Sequence, residues 1–163
     1  MWQERQEEGS KTALRYRELP LPGRRGLRLA EVDRRDQEAL IMEAYRHIER
    51  HLDLYRIREI IARPAHKVYV ALGRDDEWVG LLWCAEGEGF YGRPAGFVYL
   101  VAVRKGHRGR GIGRWLMELA EWWAREHGFD AIELNVDGNN PPARHLYRAQ
   151  GYQELRVRMR KTL

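Results

Sequence analysis

Arg104-Lys105-Gly106-His107-Arg108-Gly109-Arg110-Gly111-Ile112-Gly113-Arg114 holds four glycines and five permanent positive charges in eleven residues, with no acid among them. The stretch follows an apolar run, Phe97 to Val103, and precedes a segment with helical periodicity. Strand, glycine-rich basic turn and helix start, in that order, make an anion site. Glycines let successive backbone N–H groups converge on an oxyanion, and the helix N-terminus adds unpaired donors and a partial positive charge. The ligand implied carries phosphate.

Working outward, the near-continuous apolar character of Phe97 to Val103 predicts a central strand covered on both faces. Downstream, Ile112, Trp115, Leu116, Leu119, Ala120 and Trp123 share one face of a helix that Gly128 should end. Ala131 to Val136 reads as a strand. Asn140 has the form of an N-cap, with Pro141 at the first helical position and Ala143, Leu146 and Tyr147 on one side of a helix stopping at Gly151. A last strand is expected over Tyr152 to Met159, with Arg156, Arg158 and Arg160 outward and Val157 and Met159 inward. Upstream, a strand over Leu27 to Val32 leads to Asp33 or Asp36, either of which can cap a helix through Leu40, Ile41, Ala44, Tyr45, Ile48 and Leu52. A second helix spans Leu54 to Ala62, ended by Pro64. Val68 to Leu72 and Trp78 to Ala85 form a hairpin about Gly73-Arg74-Asp75-Asp76. A loop with Gly87, Gly89, Gly92 and Pro94 follows. The order is mixed α/β, ending strand–helix–strand–helix–strand.

At 163 residues the chain fits one domain, and 44% hydrophobic residues with six tryptophans argue for a packed core. Residues 1–26 read as an N-terminal arm or extension and 27–163 as the domain proper. A net charge of +5 from 29 bases and 24 acids is a mixed surface that suits a small anionic ligand as well as nucleic acid. Cys84 is the only cysteine, so no internal disulfide can form, and it reads as a small buried hydrophobe in a cytoplasmic protein. No apolar stretch approaches the roughly 20 residues that span a bilayer, and the charged N-terminus is no signal peptide. No metal-ligand spacing occurs.

Three phosphate loops compete for the basic turn. A P-loop would need Lys and Ser or Thr after Gly111, where Ile112 and Gly113 stand. A dinucleotide fingerprint begun at Gly109 or Gly111 would need its last glycine at Arg114 or Leu116. Arg-x-x-Gly-x-Gly is met, by Arg108, Gly111 and Gly113, with Val103 five residues before Arg108. This form resembles the acetyl-CoA pyrophosphate loop of the GNAT superfamily of N-acetyltransferases. A second block extends the resemblance: Leu134-x-Val136, then Asn140-x-x-Ala143-x-x-Leu146-Tyr147, then Gly151-Tyr152. The likeness is strong from Phe97 to Met159 and holds in outline from Leu27 to Ala85. It implies a GNAT-like central, mostly antiparallel mixed sheet flanked by helices, in a single domain.

The resemblance also implies site residues. Backbone N–H groups of Arg108, Gly109, Arg110, Gly111, Ile112, Gly113 and Arg114 would hold the pyrophosphate of acetyl-CoA, the co-substrate, with the three arginines adding charge. The free edge of Leu100, Val101, Ala102 and Val103 would pair with the pantetheine arm and polarise the thioester carbonyl. Tyr147 would protonate the departing thiolate, and Asn140 would cap its helix and contact the cofactor. Relatives carry a glutamate base at the positions of Tyr99 or Asn135, neither of which can act as one here. Glu133, two residues from Asn135, is the candidate base, ahead of Glu86 and Glu88. His107 and His145 read as a loop contact and an exposed side chain. Trp122, off the apolar stripe, marks a candidate homodimer contact. Acetyl transfer to a primary amine by direct attack in a ternary complex is the leading function. The missing carboxylates leave a non-catalytic CoA-binding regulator as the alternative. A nucleic-acid-binding module fits less well, because Gly111-Ile112-Gly113 leads into an apolar helix face and the loop lacks aromatics for stacking.

Overall fold

The structure, a computed structural model, describes residues 3–4, 14–48, 50 and 53–163. The elements are β1 (Gln3–Glu4), β2 (Arg15–Glu18), β3 (Arg28–Val32), α1 (Arg34–His47), α2 (Leu54–Ile61), β4 (Lys67–Leu72), β5 (Trp78–Glu88), β6 (Pro94–Val103), α3 (Ile112–Glu126), β7 (Ile132–Leu134) and α4 (Pro141–Ala149), with a 3₁₀ turn at Lys105–His107. They build one seven-stranded sheet in chain order. All pairings are antiparallel except β6 with β7, which are parallel. The mixed, mostly antiparallel sheet expected from the sequence is present.

Two apolar layers hold it. On one face, Leu40, Ile41 and Ala44 of α1 and Ile57 and Ile60 of α2 pack against Val68, Val70, Leu72, Leu81, Trp83, Leu100 and Ala102. On the other, Trp115, Leu116, Leu119, Ala120 and Trp123 of α3 cover Leu82, Cys84 and Val98. The α3 stripe is the one its spacing defines. Trp78, Trp83, Trp115 and Trp123 are all buried, and Trp122 is exposed. Cys84 is fully buried, which pushes its thiol well above the ordinary value and leaves it unreactive.

Helix starts follow local chemistry. Asp33 caps α1 by accepting from the Arg35 N–H at 2.9 Å, and Asp53 caps α2 by accepting from the Arg56 N–H at 2.8 Å. The expected extension of α1 to Leu52 lies outside the described residues.

Of the segment read as an N-terminal arm or extension, the described residues Arg15–Glu18 join the sheet. β2 pairs with β3, Tyr16 opposite Val32, and Tyr16 is buried in the core. Asp36 of α1 fastens this strand, accepting from the Arg15 N–H at 2.7 Å and from its guanidinium at 2.6 and 3.1 Å. The hairpin of β5 and β6 is longer than the glycines suggested, because the ladder continues through Gly87 opposite Ala95 to Glu88 opposite Pro94.

The far end departs from expectation. The strand read over Ala131 to Val136 contracts to Ile132–Leu134. The strand expected over Tyr152 to Met159 does not form, and the supposedly inward Val157 and Met159 are 74% and 90% exposed. Period-2 alternation makes a segment able to be a strand, but ladder hydrogen bonds need a partner edge, and β7 offers only three residues. Side chains tether the tail instead. Glu154 accepts from Arg144 at 2.7 Å and from Arg148 at 2.5 Å, and Arg156 lies 5.1 Å from the Phe90 ring centroid.

Asp36→Ala should remove the clasp between β2 and α1, the acceptor of both the Arg15 N–H and its guanidinium. A loss of about 3 kcal/mol is expected, read as a lower urea midpoint with unchanged far-ultraviolet dichroism of the folded state.

Candidate functional site

The centre of the site is a one-residue irregularity in β6. Its pairing with β5 sets Trp83 opposite Leu100 but Cys84 opposite Val98, so Tyr99 is an extra residue. The backbone confirms this independently. The Gly96 N–H points to Ala131 before β7, at 3.0 Å, whereas the Arg104 N–H points to Val79 of β5, also at 3.0 Å. Both positions are even-numbered, and an unbroken strand would aim them the same way. The bulge at Tyr99 reverses the parity.

The reversal has two results. Tyr99 and Leu100 both face α1 and α2, while Val98, Val101 and Val103 face α3. Beyond the bulge the odd-numbered backbone groups, those of Val101 and Val103, point away from β5. Among the described residues no strand receives them, because β7 pairs with β6 only from Gly96 to Val98. The carbonyl of Val103 on this open edge accepts from Arg108 Nε at 2.9 Å. All four residues expected to offer an edge stand in register with β5; by parity from the Arg104 N–H bond, the backbone groups of Leu100 and Ala102 point toward β5 and those of Val101 and Val103 away from it.

β6 runs directly into the basic turn. Gly109 and Gly111 take φ of +70° and +81°, the left-handed region that glycine occupies without a Cβ clash. Gly111 is the N-cap of α3, with no side-chain cap, and the first helical bond is Trp115 N–H to the Gly111 carbonyl at 3.0 Å. The N–H groups of Ile112, Gly113 and Arg114 therefore start the helix without intrahelical partners. These orphan donors in a basic turn suit an anionic oxygen.

The charges of the turn divide. Arg104 lies on the α1 side, 4.4 Å from the Trp78 ring centroid and 3.1 Å from Glu43. Arg108 binds the Val103 carbonyl, and Arg114 pairs with Glu118 at 3.4 Å. Arg110 is exposed with no ion pair among the described residues, which makes it the guanidinium of the three that is free for an anion.

α4 docks on this corner through Gly113. A Cβ there would meet Leu146 Cδ2 at 3.4 Å and Val103 Cγ2 at 3.9 Å, so β6, the start of α3 and α4 converge at one point. Gln150 Nε2 adds a bond to the Arg114 carbonyl at 3.2 Å. Asn140 caps α4, accepting from the Ala143 N–H at 3.3 Å. Tyr147, next to Leu146, is half-buried. Burial raises its phenol above the ordinary value against the opposing charge of Arg50, so it stays protonated through neutral pH.

A cleft of about 350 Å³ opens beside the bulge, lined by Tyr45, Arg56, Ile60, Arg63, Glu88, Phe97, Val98, Tyr99 and Asn135. The sequence singled out Tyr99, Asn135 and Glu88 in it. Arg63, whose guanidinium donates to the Tyr99 hydroxyl, carried no motif. Glu133 is not in this cleft: its carboxylate accepts from the Phe90 N–H at 2.8 and 3.0 Å and steadies the β5–β6 turn. Glu88 makes no ion pair among the described residues.

A second cleft, of about 400 Å³, lies across Arg63 and is lined by Glu31, Val32, Arg34, Gln37, Ile61, Arg63, Pro64, Ala65, His66 and Lys67. Burial, with Arg34 and Lys67 adding to it, lowers His66 to about 4, so its ring is neutral at pH 7. Nothing in the sequence around His66 marked it, because its environment is assembled from four separate elements.

Fold and corner together define an acetyltransferase scaffold, and comparison agrees. The chain belongs to the acetyltransferase (GNAT) family, whose model matches residues 34–152. A mycothiol acetyltransferase of Saccharomonospora viridis is 30% identical over 143 residues, 80% of this chain and 47% of that protein. The streptothricin acetyltransferase of Streptomyces lavendulae is 48% identical over 52 residues, 32% of this chain and 28% of that one. The chain thus spans less than half the length of these curated relatives. Among solved structures, an aminoglycoside acetyltransferase from an uncultured soil metagenomic sample, in complex with trehalose, aligns with a TM-score of 0.65 at 22% identity, covering 85% of this chain and 97% of that one. That likeness is one of fold. Among the described residues no helix is long and apolar enough to cross a membrane.

Two outcomes follow. Gly111→Glu should abolish acetyl-CoA binding by calorimetry, and the strain of a left-handed non-glycine residue should also cost about 1–2 kcal/mol of stability. For His66, the folded-state value near 4 lies below the unfolded 6.5, so the unfolded chain takes up the proton first. Stability is therefore full above pH 6.5 and declines as pH falls toward 4. His66→Gln should flatten that part of the melting-temperature profile.

Proposed function

We propose that this chain transfers an acetyl group from acetyl-CoA to a primary amine seated in the cleft at Tyr99, by direct attack within a ternary complex. The observation that carries this reading is the bulge. It turns the Val101 and Val103 backbone groups toward an edge that no strand covers, in line with the orphan donors of α3.

Acetyl-CoA supplies a thioester. The turn from Arg108 to Arg114 and the helix start hold its pyrophosphate, with Arg110 as the available guanidinium. The Val103 and Val101 edge orients the pantetheine arm, and the Val101 N–H polarises the thioester carbonyl, where negative charge develops. Glu88 is the carboxylate within the cleft and serves as base toward the incoming ammonium. Glu133 supports the site by holding the hairpin that carries Glu88. Tyr147, kept protonated by burial, delivers a proton to the departing sulfur. Direct attack needs no covalent enzyme intermediate, and neither cysteine nor serine stands in the motif residues.

The test is thiol release from acetyl-CoA across a panel of amines, with calorimetric acetyl-CoA binding beside it. Turnover dependent on one amine class supports the reading, and absence of acetyl-CoA binding overturns it. Tyr147→Phe should lower kcat about 100-fold with acetyl-CoA affinity nearly unchanged. Because its phenol is raised, the parent enzyme should show no alkaline loss of activity from this group below pH 10.

A further inference from the structure

The two clefts share Arg63 as a common wall, and an aromatic floor joins them beneath. His66 and Trp83 ring centroids are 6.4 Å apart, and those of Trp83 and Tyr99 are 5.4 Å apart. The second cleft is therefore two ring contacts from the reacting centre.

Its lining is polar and incompletely satisfied. Gln37 is only 4% exposed. Its Nε2 donates to the Val32 carbonyl at 2.9 Å, which fixes the orientation of the amide. Its Oε1 is buried without a hydrogen-bond partner, as is His66 Nε2. Buried polar atoms left unpaired are costly and rare, so two on one cleft call for a ligand or ordered water that supplies their partners.

The charge is one-sided. Glu31 is the only acid in the lining. Burial would raise its carboxyl, but hydrogen bonds from Lys67 and Arg17 outweigh this and hold it below the ordinary value. Its charge is thus neutralised within the protein. Arg63 leans on the Tyr99 ring and on Glu59 at 3.5 Å. Arg34, at the start of α1, makes no ion pair among the described residues. His66 adds no charge at pH 7. What the cleft offers is an unspent guanidinium, a second at its wall, and a carbonyl acceptor that wants an N–H.

We infer that this second cleft holds the far end of the acceptor, and that the acceptor is a peptide-like amine carrying an anionic group, carboxylate or phosphate, opposite its reacting nitrogen. The inference rests on the acetyl-transfer reading for its chemistry. Arg34 and Arg63 bind the anion, and the Gln37 carbonyl accepts from an amide N–H of the same molecule. An extended chain advances about 3.3–3.6 Å per residue, so about three residues together with an anionic side chain cover the two ring steps. A polycationic acceptor such as an aminoglycoside meets the wrong sign at Arg34, since Arg56 and Arg63 already share Glu59.

The experiment compares alanyl-glycyl-glutamate, alanyl-glycyl-phosphoserine and the neutral alanyl-glycyl-glutaminamide as acceptors, with spermidine as the polycation. At least one of the two anionic peptides should exceed the amide about tenfold in kcat/KM, and the better of them identifies the anion. Arg34→Gln should lower that peptide about tenfold through KM, leaving the amide and acetyl-CoA affinity unchanged. Equal rates for acid and amide, preference for spermidine, or an equal effect of Arg34→Gln on both peptides would overturn the inference. Calorimetric titration of the anionic peptides separates the two readings. Binding that Arg34→Gln weakens, in a protein that does not bind acetyl-CoA, supports the anion site while ending the acetyl-transfer reading. Binding of neither peptide ends the anion site.

Discussion

A single extra residue in β6 is the constraint on which the rest of the site depends. Before Tyr99 the strand bonds to β7 through its even-numbered residues, and after it through none, because parity has reversed and β7 has diverged. Buried backbone groups ordinarily find partners. Here an open edge is built into the middle of an otherwise complete sheet and aimed at the glycine-rich turn. One side-chain contact already uses it, from Arg108 to the Val103 carbonyl. The edge, the orphan donors of α3 and the α4 corner at Gly113 form one continuous surface because they are successive parts of a single strand–turn–helix unit.

A run of aromatic rings lies beneath the bulge. Phe97, Tyr99, Trp83 and His66 pass ring to ring at 4.8, 5.4 and 6.4 Å. Trp83 is fully buried at its centre. With the bulge, Tyr99 and Leu100 fall on the same face, so a large ring and an aliphatic anchor both enter the layer under α1 and α2. Both clefts open along this face, with Arg63 standing over Tyr99 between them.

Charge in the basic turn illustrates how composition overstates a site. Five cations in eleven residues suggest a dense anion trap. Folded, Arg104 is stacked on Trp78 and paired with Glu43, Arg108 supports a carbonyl, and Arg114 pairs along its own helix. The backbone donors remain, and they are the part of the turn that only glycine spacing could announce.

Local chemistry was legible in the sequence wherever it was decided locally. The α3 stripe, the Asn140 cap with Pro141 behind it, the Asp33 cap and the glycine turn after an apolar strand each depend on neighbours a few residues away, and each stands where its spacing put it. Tertiary contacts decided the rest. The bulge is a mismatch between two strands and has no signature within one. Glu133 was drawn off to the hairpin by Phe90, and His66, Gln37 and Arg34 met only because β3, α1, α2 and β4 end together. The alternating tail from Tyr152 to Met159 stayed out of the sheet. Alternation prepares a strand, but only a partner edge makes one, and whether that edge exists is settled by the fold as a whole.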